Sequence, residues 1–121
     1  MKILFMGTSE FAVPSLEILV KAGHEVAMVI TQPDRKRGRG NKVLASPVKE
    51  TAQQYSLPVF QPAKIREAEA VERIGLLNPE VIVVVSYGQI IPPAILSIPE
   101  KGCINVHASL LPKYRGAAPI Q

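Results

Sequence analysis

Three features of this 121-residue sequence predict an α/β fold with a doubly wound, mostly parallel sheet. Two apolar runs, Ile3 to Met6 and Val81 to Val85, have the composition of strands buried on both faces. Between the strand-length runs lie stretches whose apolar residues recur at helical spacing. Glycine and proline punctuate most of the junctions. Strands that alternate with helices build parallel units joined by right-handed crossovers.

The elements follow in order. Lys2-Ile3-Leu4-Phe5-Met6-Gly7 is the first strand, closed by glycine. Ser9 is placed to cap a helix, Pro14 suits its first turn, and Leu16, Leu19 and Val20 form its apolar face. Gly23 stops that helix, and His24 stands where an imidazole bonds helix-terminal carbonyls. Val26 to Thr31 is the second strand, ended by Gln32-Pro33-Asp34. Residues 34–47 read as a mobile basic loop, because Gly38, Gly40 and dense charge leave little to bury. Ser46 caps a helix from Pro47 to Tyr55, and Leu57 to Phe60 is a short strand. Ala63 to Leu77 is a charged, half-exposed helix stopped by Asn78-Pro79. Val81 to Val85 has the strongest composition in the chain for a central strand, and Ser86-Tyr87-Gly88-Gln89 turns out of it. Pro92 and Pro93 open a short helix to Leu96, and Cys103 to His107 is the last strand.

The composition bounds the function. With 47% hydrophobic and 20% charged residues the chain reads as one soluble globular domain. No apolar run approaches the roughly 20 residues that span a bilayer. The apolar N-terminal run is short and interrupted by Gly7, so it lacks the core of a signal peptide. The single cysteine, Cys103, excludes an internal disulfide and suits a reducing, cytoplasmic setting. In a buried strand it reads as a packed thiol.

The formal charge of +4 is unevenly spread. Arg35, Lys36, Arg37, Arg39, Lys42 and Lys49 stand against Asp34 alone, and the rest of the chain carries eight basic and nine acidic residues. That concentration fits either a solvated loop or a phosphate-contacting one. Base stacking is not indicated, since Arg35 to Pro47 contains no aromatic residue.

Gly7-Thr8-Ser9-Glu10-Phe11 matches neither a dinucleotide fingerprint nor a Walker lysine pattern, and reads as a turn that needs glycine. A nicotinamide dehydrogenase is disfavoured. Neither His24 nor His107 has partners at metal-ligand spacing, so no metal is expected. Asn105 and His107 are two apart, and in a strand they leave the same face. A carboxamide and an imidazole at a strand's carboxyl end suit carbonyl polarisation and proton transfer, although polar strand-end caps have the same composition. Beside them Leu110, Leu111 and Pro112 offer an apolar wall, and Lys113, Tyr114 and Arg115 offer polar contacts.

Asn105-Val106-His107 with Ser109-Leu110-Leu111-Pro112-Lys113-Tyr114-Arg115-Gly116 resembles the signature of the folate-dependent formyltransferases. Thr31-Gln32-Pro33-Asp34-Arg35, Gly38-Arg39-Gly40, Ser46-Pro47-Val48-Lys49, Leu57 to Pro62 and Gly116 to Gln121 are similar to its bacterial, tRNA-formylating branch. The resemblance covers the whole chain. It implies a Rossmann-like catalytic domain and formyl transfer from 10-formyltetrahydrofolate to the amino group of methionine on the initiator tRNA. By position, Asn105 would bond the formyl oxygen as charge develops, and His107 would assist that oxygen and proton transfer. Gln89, Ile90 and Ile91 would hold the folate head, with Leu96 and Ser109, Leu110, Leu111 and Pro112 closing the pocket. Arg35, Lys36, Arg37, Arg39 and Lys42 would engage the tRNA acceptor end.

The family's catalytic aspartate and its tRNA-binding β-barrel have no counterpart here, and Asp34 is the only aspartate. Residues 1–121 are therefore expected to be an incomplete N-terminal catalytic domain with an RNA-binding loop at 34–47 and little turnover alone. The parent enzyme is expected to be a monomer. An open sheet edge in the fragment invites self-association. Two alternatives stand: another folate-dependent formyltransferase, such as the glycinamide ribonucleotide enzyme, or a non-catalytic folate- or RNA-binding module. The basic insertion argues against the first, since a small ribonucleotide needs no such loop.

Overall fold

The computed structural model describes residues 1–37 and 42–106. Five strands form one parallel sheet: β1 (Lys2–Gly7), β2 (Glu25–Ile30), β5 (Val59–Phe60), β6 (Val81–Val85) and β7 (Cys103–Val106). Their spatial order is β5-β2-β1-β6-β7, with β1 at the centre. Helices α1 (Val13–Lys21) and α2 (Pro47–Gln54) cover one face. Helices α3 (Ala68–Leu77) and α4 (Pro93–Leu96) cover the other. That division follows from handedness. The chain moves outward from β1 through β2 to β5, then returns through α3 to β6 and β7. Right-handed crossovers in opposite directions put their helices on opposite faces. This is the doubly wound, Rossmann-like arrangement that the sequence predicts.

The central strand joins two cores. Ile3 and Phe5 pack with Leu16, Val48 and Ala52, while Leu4 and Met6 pack with Ile74, Ile82 and Ile95. Alternating side chains of a strand buried on both faces produce this division. Gly7 ends β1 where a Cβ would stand 2.7 Å from the Val85 carbonyl and 2.9 Å from the Ala12 Cβ. The glycine thus serves close approach of β1 to β6, as a turn reading requires. Among the described residues no helix is long and apolar enough to cross a membrane.

Several boundaries differ from the sequence reading. The segment 34–47, read as a mobile loop, contains an antiparallel hairpin of β3 (Arg35–Arg37) and β4 (Lys42–Leu44), with Lys36 opposite Val43. Two short runs around a Gly-rich stretch have hairpin punctuation, and the charge obscures it. The helix expected from Ala63 begins at Ala68. The polar backbone of Ala63 and Ile65 is taken by the Gln89 side chain instead. Ser9 does not cap α1; its hydroxyl meets Ser86 Oγ at 2.6 Å, and a 3₁₀ turn (Glu10–Ala12) leads into the helix. Ser46 does cap α2, its Oγ accepting from Lys49 N at 3.0 Å.

Candidate active site

The sheet order creates the site. Because β2 and β6 flank β1 and their connections run in opposite directions, the loops after β1 and β6 diverge and leave a crevice at the strands' carboxyl ends. A cavity of about 360 Å³ lies there, lined by Thr8, Ser9, Gln32, Ser46 and Ser86–Gly88, with Arg35 and Leu44 added by the hairpin. A second cavity of about 260 Å³ lies between β6 and β7, lined by Val84, Asn105, Val106 and the turn Ser86–Gln89. Ser86, Tyr87 and Gly88 form a wall common to both.

Hydrogen bonds hold these loops in register. Thr8 Oγ1 donates to the Tyr87 carbonyl at 2.6 Å and accepts from Gln32 N at 3.3 Å. Gln89 Oε1 accepts from Ile65 N at 2.8 Å, while its Nε2 donates to Gln32 Oε1 at 2.8 Å and to the Ala63 carbonyl at 2.9 Å. Gln61 Nε2 donates to Asp34 Oδ1 at 2.7 Å and to the Gln32 carbonyl at 3.3 Å. Lys49 Nζ lies 3.2 Å from each Asp34 oxygen. The Gln61 amide first, and the Lys49 ammonium second, hold the Asp34 carboxyl below its usual pKa. This exposed cluster roots the hairpin to the ends of α2 and β5. Thr31 and Ser46 add a buried hydroxyl pair at 2.6 Å beneath it.

Tyr87 is buried, and its hydroxyl has no hydrogen-bond partner among the described residues. Burial pushes its pKa up to about 12, so it stays a neutral phenol. Burial also raises the Cys103 thiol pKa, in keeping with a packed side chain.

The sequence-predicted residues divide as follows. Asn105 sits in β7 opposite Val84 and faces the second cavity. His107 lies outside the described residues, as do Ser109, Leu110, Leu111 and Pro112. Gln89 uses its whole carboxamide on the protein, so only its main chain is left for a ligand. Ile90 is 93% exposed and lines a groove of about 500 Å³ with Lys64, Arg66 and Pro92. Ile91 packs against the α3–α4 core, and Leu96 is exposed at the end of α4. Arg35, Lys36 and Lys42 are exposed on the hairpin, Arg37 belongs to β3, and Arg39 lies outside the described residues. No cluster that suits a metal ion occurs among the described residues.

Sequence reasoning assigned no role in the site to Thr8, Ser9, Gln32 or Ser86. A signal was present, since polar residues directly after apolar strands mark the carboxyl end of a parallel sheet. Their convergence, however, depends on strand order.

Residues 1–121, the whole chain, match the family model described as formyl transferase. The methionyl-tRNA formyltransferase of Pelotomaculum thermopropionicum is 62% identical over 120 residues, which are 99% of this chain and 38% of that protein. That of Syntrophomonas wolfei is 60% identical over 121 residues, 100% of this chain and 38% of the relative. The chain thus spans about two fifths of the length of these curated relatives. Among solved structures, glycinamide ribonucleotide transformylase 1 from Geobacillus kaustophilus superposes with a TM-score of 0.60 at 24% identity, covering 96% of this chain and 62% of that one. The Symbiobacterium toebii protein of that name gives 0.60 at 18% identity, covering 96% and 55%. At such identity these two structures bear on the fold alone.

Proposed function

The chain belongs to the formyl transferase family, and from that membership we propose that its enzyme formylates the amino group of methionine on initiator tRNA. Formyl transfer is the family's chemistry, and the relatives with about 60% identity carry the methionyl-tRNA name. The observation that carries the tRNA assignment is spatial. The basic hairpin supplies Arg35 and Leu44 to the cavity of about 360 Å³ in the β1–β6 crevice, the switch cavity, which shares its Ser86–Gly88 wall with the cavity of Asn105. In this reading a polyanion on the hairpin has its end directed toward the carboxamide.

The groove beside the β6 turn fits a folate head. Exposed Ile90 and Pro92 offer apolar surface, and Gln89 locks the turn so that its main chain is presented in a fixed position. 10-Formyltetrahydrofolate supplies the formyl group when bound there. In this reading Gln89, Ile90, Ile91 and Leu96 hold the head, and Ser109, Leu110, Leu111 and Pro112 close over it. Asn105 donates to the formyl oxygen as negative charge develops, an effect worth about 3 kcal/mol for one placed donor. His107 assists the same oxygen and would move the proton released by the attacking amine to the folate nitrogen, whose bond to the formyl carbon breaks as the new carbon–nitrogen bond forms. Arg35, Lys36, Arg37, Arg39 and Lys42 contact acceptor-stem phosphates.

The test is a formylation assay of the complete gene product with 10-formyltetrahydrofolate and, in parallel, charged initiator tRNA or glycinamide ribonucleotide. Formylmethionyl-tRNA is the expected product. Turnover of the ribonucleotide alone would replace this reading with its rival.

A further inference from the structure

Gln32 follows β2 at the meeting point of four strand-end loops. Its main-chain N–H donates to Thr8 Oγ1, and its carbonyl accepts from Gln61 Nε2. The residue as a whole is 9% exposed, and its side chain lines the switch cavity. Gln89 determines which end of the Gln32 carboxamide points where. The Ile65 N–H needs an acceptor, so Gln89 Oε1 meets it and Gln89 Nε2 serves the Ala63 carbonyl and Gln32. The Gln32 atom facing that donor at 2.8 Å is therefore Oε1. Gln32 Nε2 is left with two N–H donors and no hydrogen bond among the described residues. It lies over Gly88, 2.8 Å from where a Cβ would stand. Gly88 also has a φ of +105°, so the backbone calls for glycine there. Gly88 belongs to the wall between the switch cavity and the Asn105 cavity. An amide anchored by its own oxygen, facing the cavity and holding unused donors, is placed to receive an oxygen acceptor.

We propose that Gln32 binds the acyl-acceptor substrate, its Nε2 donating to an oxygen of the aminoacyl ester at the tRNA 3′ end. This rests on the formyl-transfer reading and adds a positioning contact to it. The ester is favoured over the folate because Gln32 shares its cavity with Arg35 and Leu44 of the hairpin. The Ile90 groove instead borders Gln89. A hydrogen bond at that seam restrains the ester while its amine approaches the Asn105 side.

Two substitutions separate this role from the structural one. Gln32→Glu keeps an oxygen for Gln89 Nε2 and removes the donor. Gln32→Met keeps the volume and removes both functions without adding charge. Steady-state formylation by the complete gene product is measured with each substrate varied in turn, at low and high salt, beside thermal unfolding. In both variants KM for charged tRNA is expected to rise roughly tenfold at either salt, and KM for the folate by less than about twofold. Gln32→Glu is expected to unfold near the parent temperature. An unchanged tRNA KM in both variants overturns the assignment. So does an equal rise of both KM values with a fall in Tm, which makes Gln32 a structural hub only. A rise confined to Gln32→Glu and abolished by salt also overturns it, as simple charge repulsion. Absence of tRNA formylation by the parent protein overturns the functional reading itself, before any variant is compared.

Discussion

Asn105, Gly88 and Tyr87 surround the same turn with three different physical tasks, and each predicts its own substitution effect. In the proposed mechanism Asn105 acts on developing charge, so Asn105→Ala should lower kcat by about 10²–10³ with little change in tRNA KM. A kinetic assay on the complete gene product reads this, and a pure KM effect would assign Asn105 to binding. Gly88 combines a positive φ with the approach of Gln32, so Gly88→Ala should cost about 1–3 kcal/mol in urea unfolding. Tyr87 buries a hydroxyl without a partner among the described residues. Tyr87→Phe should therefore raise stability by about 1 kcal/mol, and a decrease would reveal a bond made in the working enzyme. At this scale the sequence exposed Asn105 through its strand-end position and its signature. Gln32 read only as a strand terminator, because its meaning lies in a bond to Gln89, 57 residues away.

The basic hairpin is the element whose shape the sequence concealed and whose charge it displayed. Lys36 and Lys42 are exposed on it, and neutralising both should raise KM for charged tRNA. It should also reduce the slope of log KM against log salt by about one for each phosphate that is no longer neutralised. An unchanged slope would remove these lysines from the interface. The Asp34–Lys49–Gln61 root makes the hairpin sensitive to acid. Folding favours the ionised carboxyl, so the anchor contributes above the ordinary pKa of 3.8 and is lost as pH falls through the lowered folded value. NMR titration should show the Asp34 carboxyl and the β4 amides shifting together below pH 3.8, and Asp34→Asn should abolish that transition. The cap of α2 was legible from Ser46-Pro47, since capping is local chemistry. The start of α3 was not, because a distant glutamine side chain occupies the backbone at residues 63–65.

For the whole molecule, the central position of β1 makes its side chains the joint between two cores. Phe5 is wholly buried, so Phe5→Ala should cost about 3–5 kcal/mol, whereas exposed Ile18 on α1 should tolerate alanine within about 0.5 kcal/mol. Denaturant unfolding of the complete gene product checks the contrast. The sequence by itself determined the alternation of strands and helices, the apolar faces, the basic segment and the Asn105 signature. All of these are written in neighbouring residues through periodicity, capping and punctuation. Only the tertiary structure decided the order β5-β2-β1-β6-β7, and with it the crevice between β1 and β6. It likewise decided that Thr8, Gln32, Gln61 and Gln89 meet at one end of the sheet. Strand order is set by which long-range pairings bury the most apolar surface, and no local pattern in the chain records that competition.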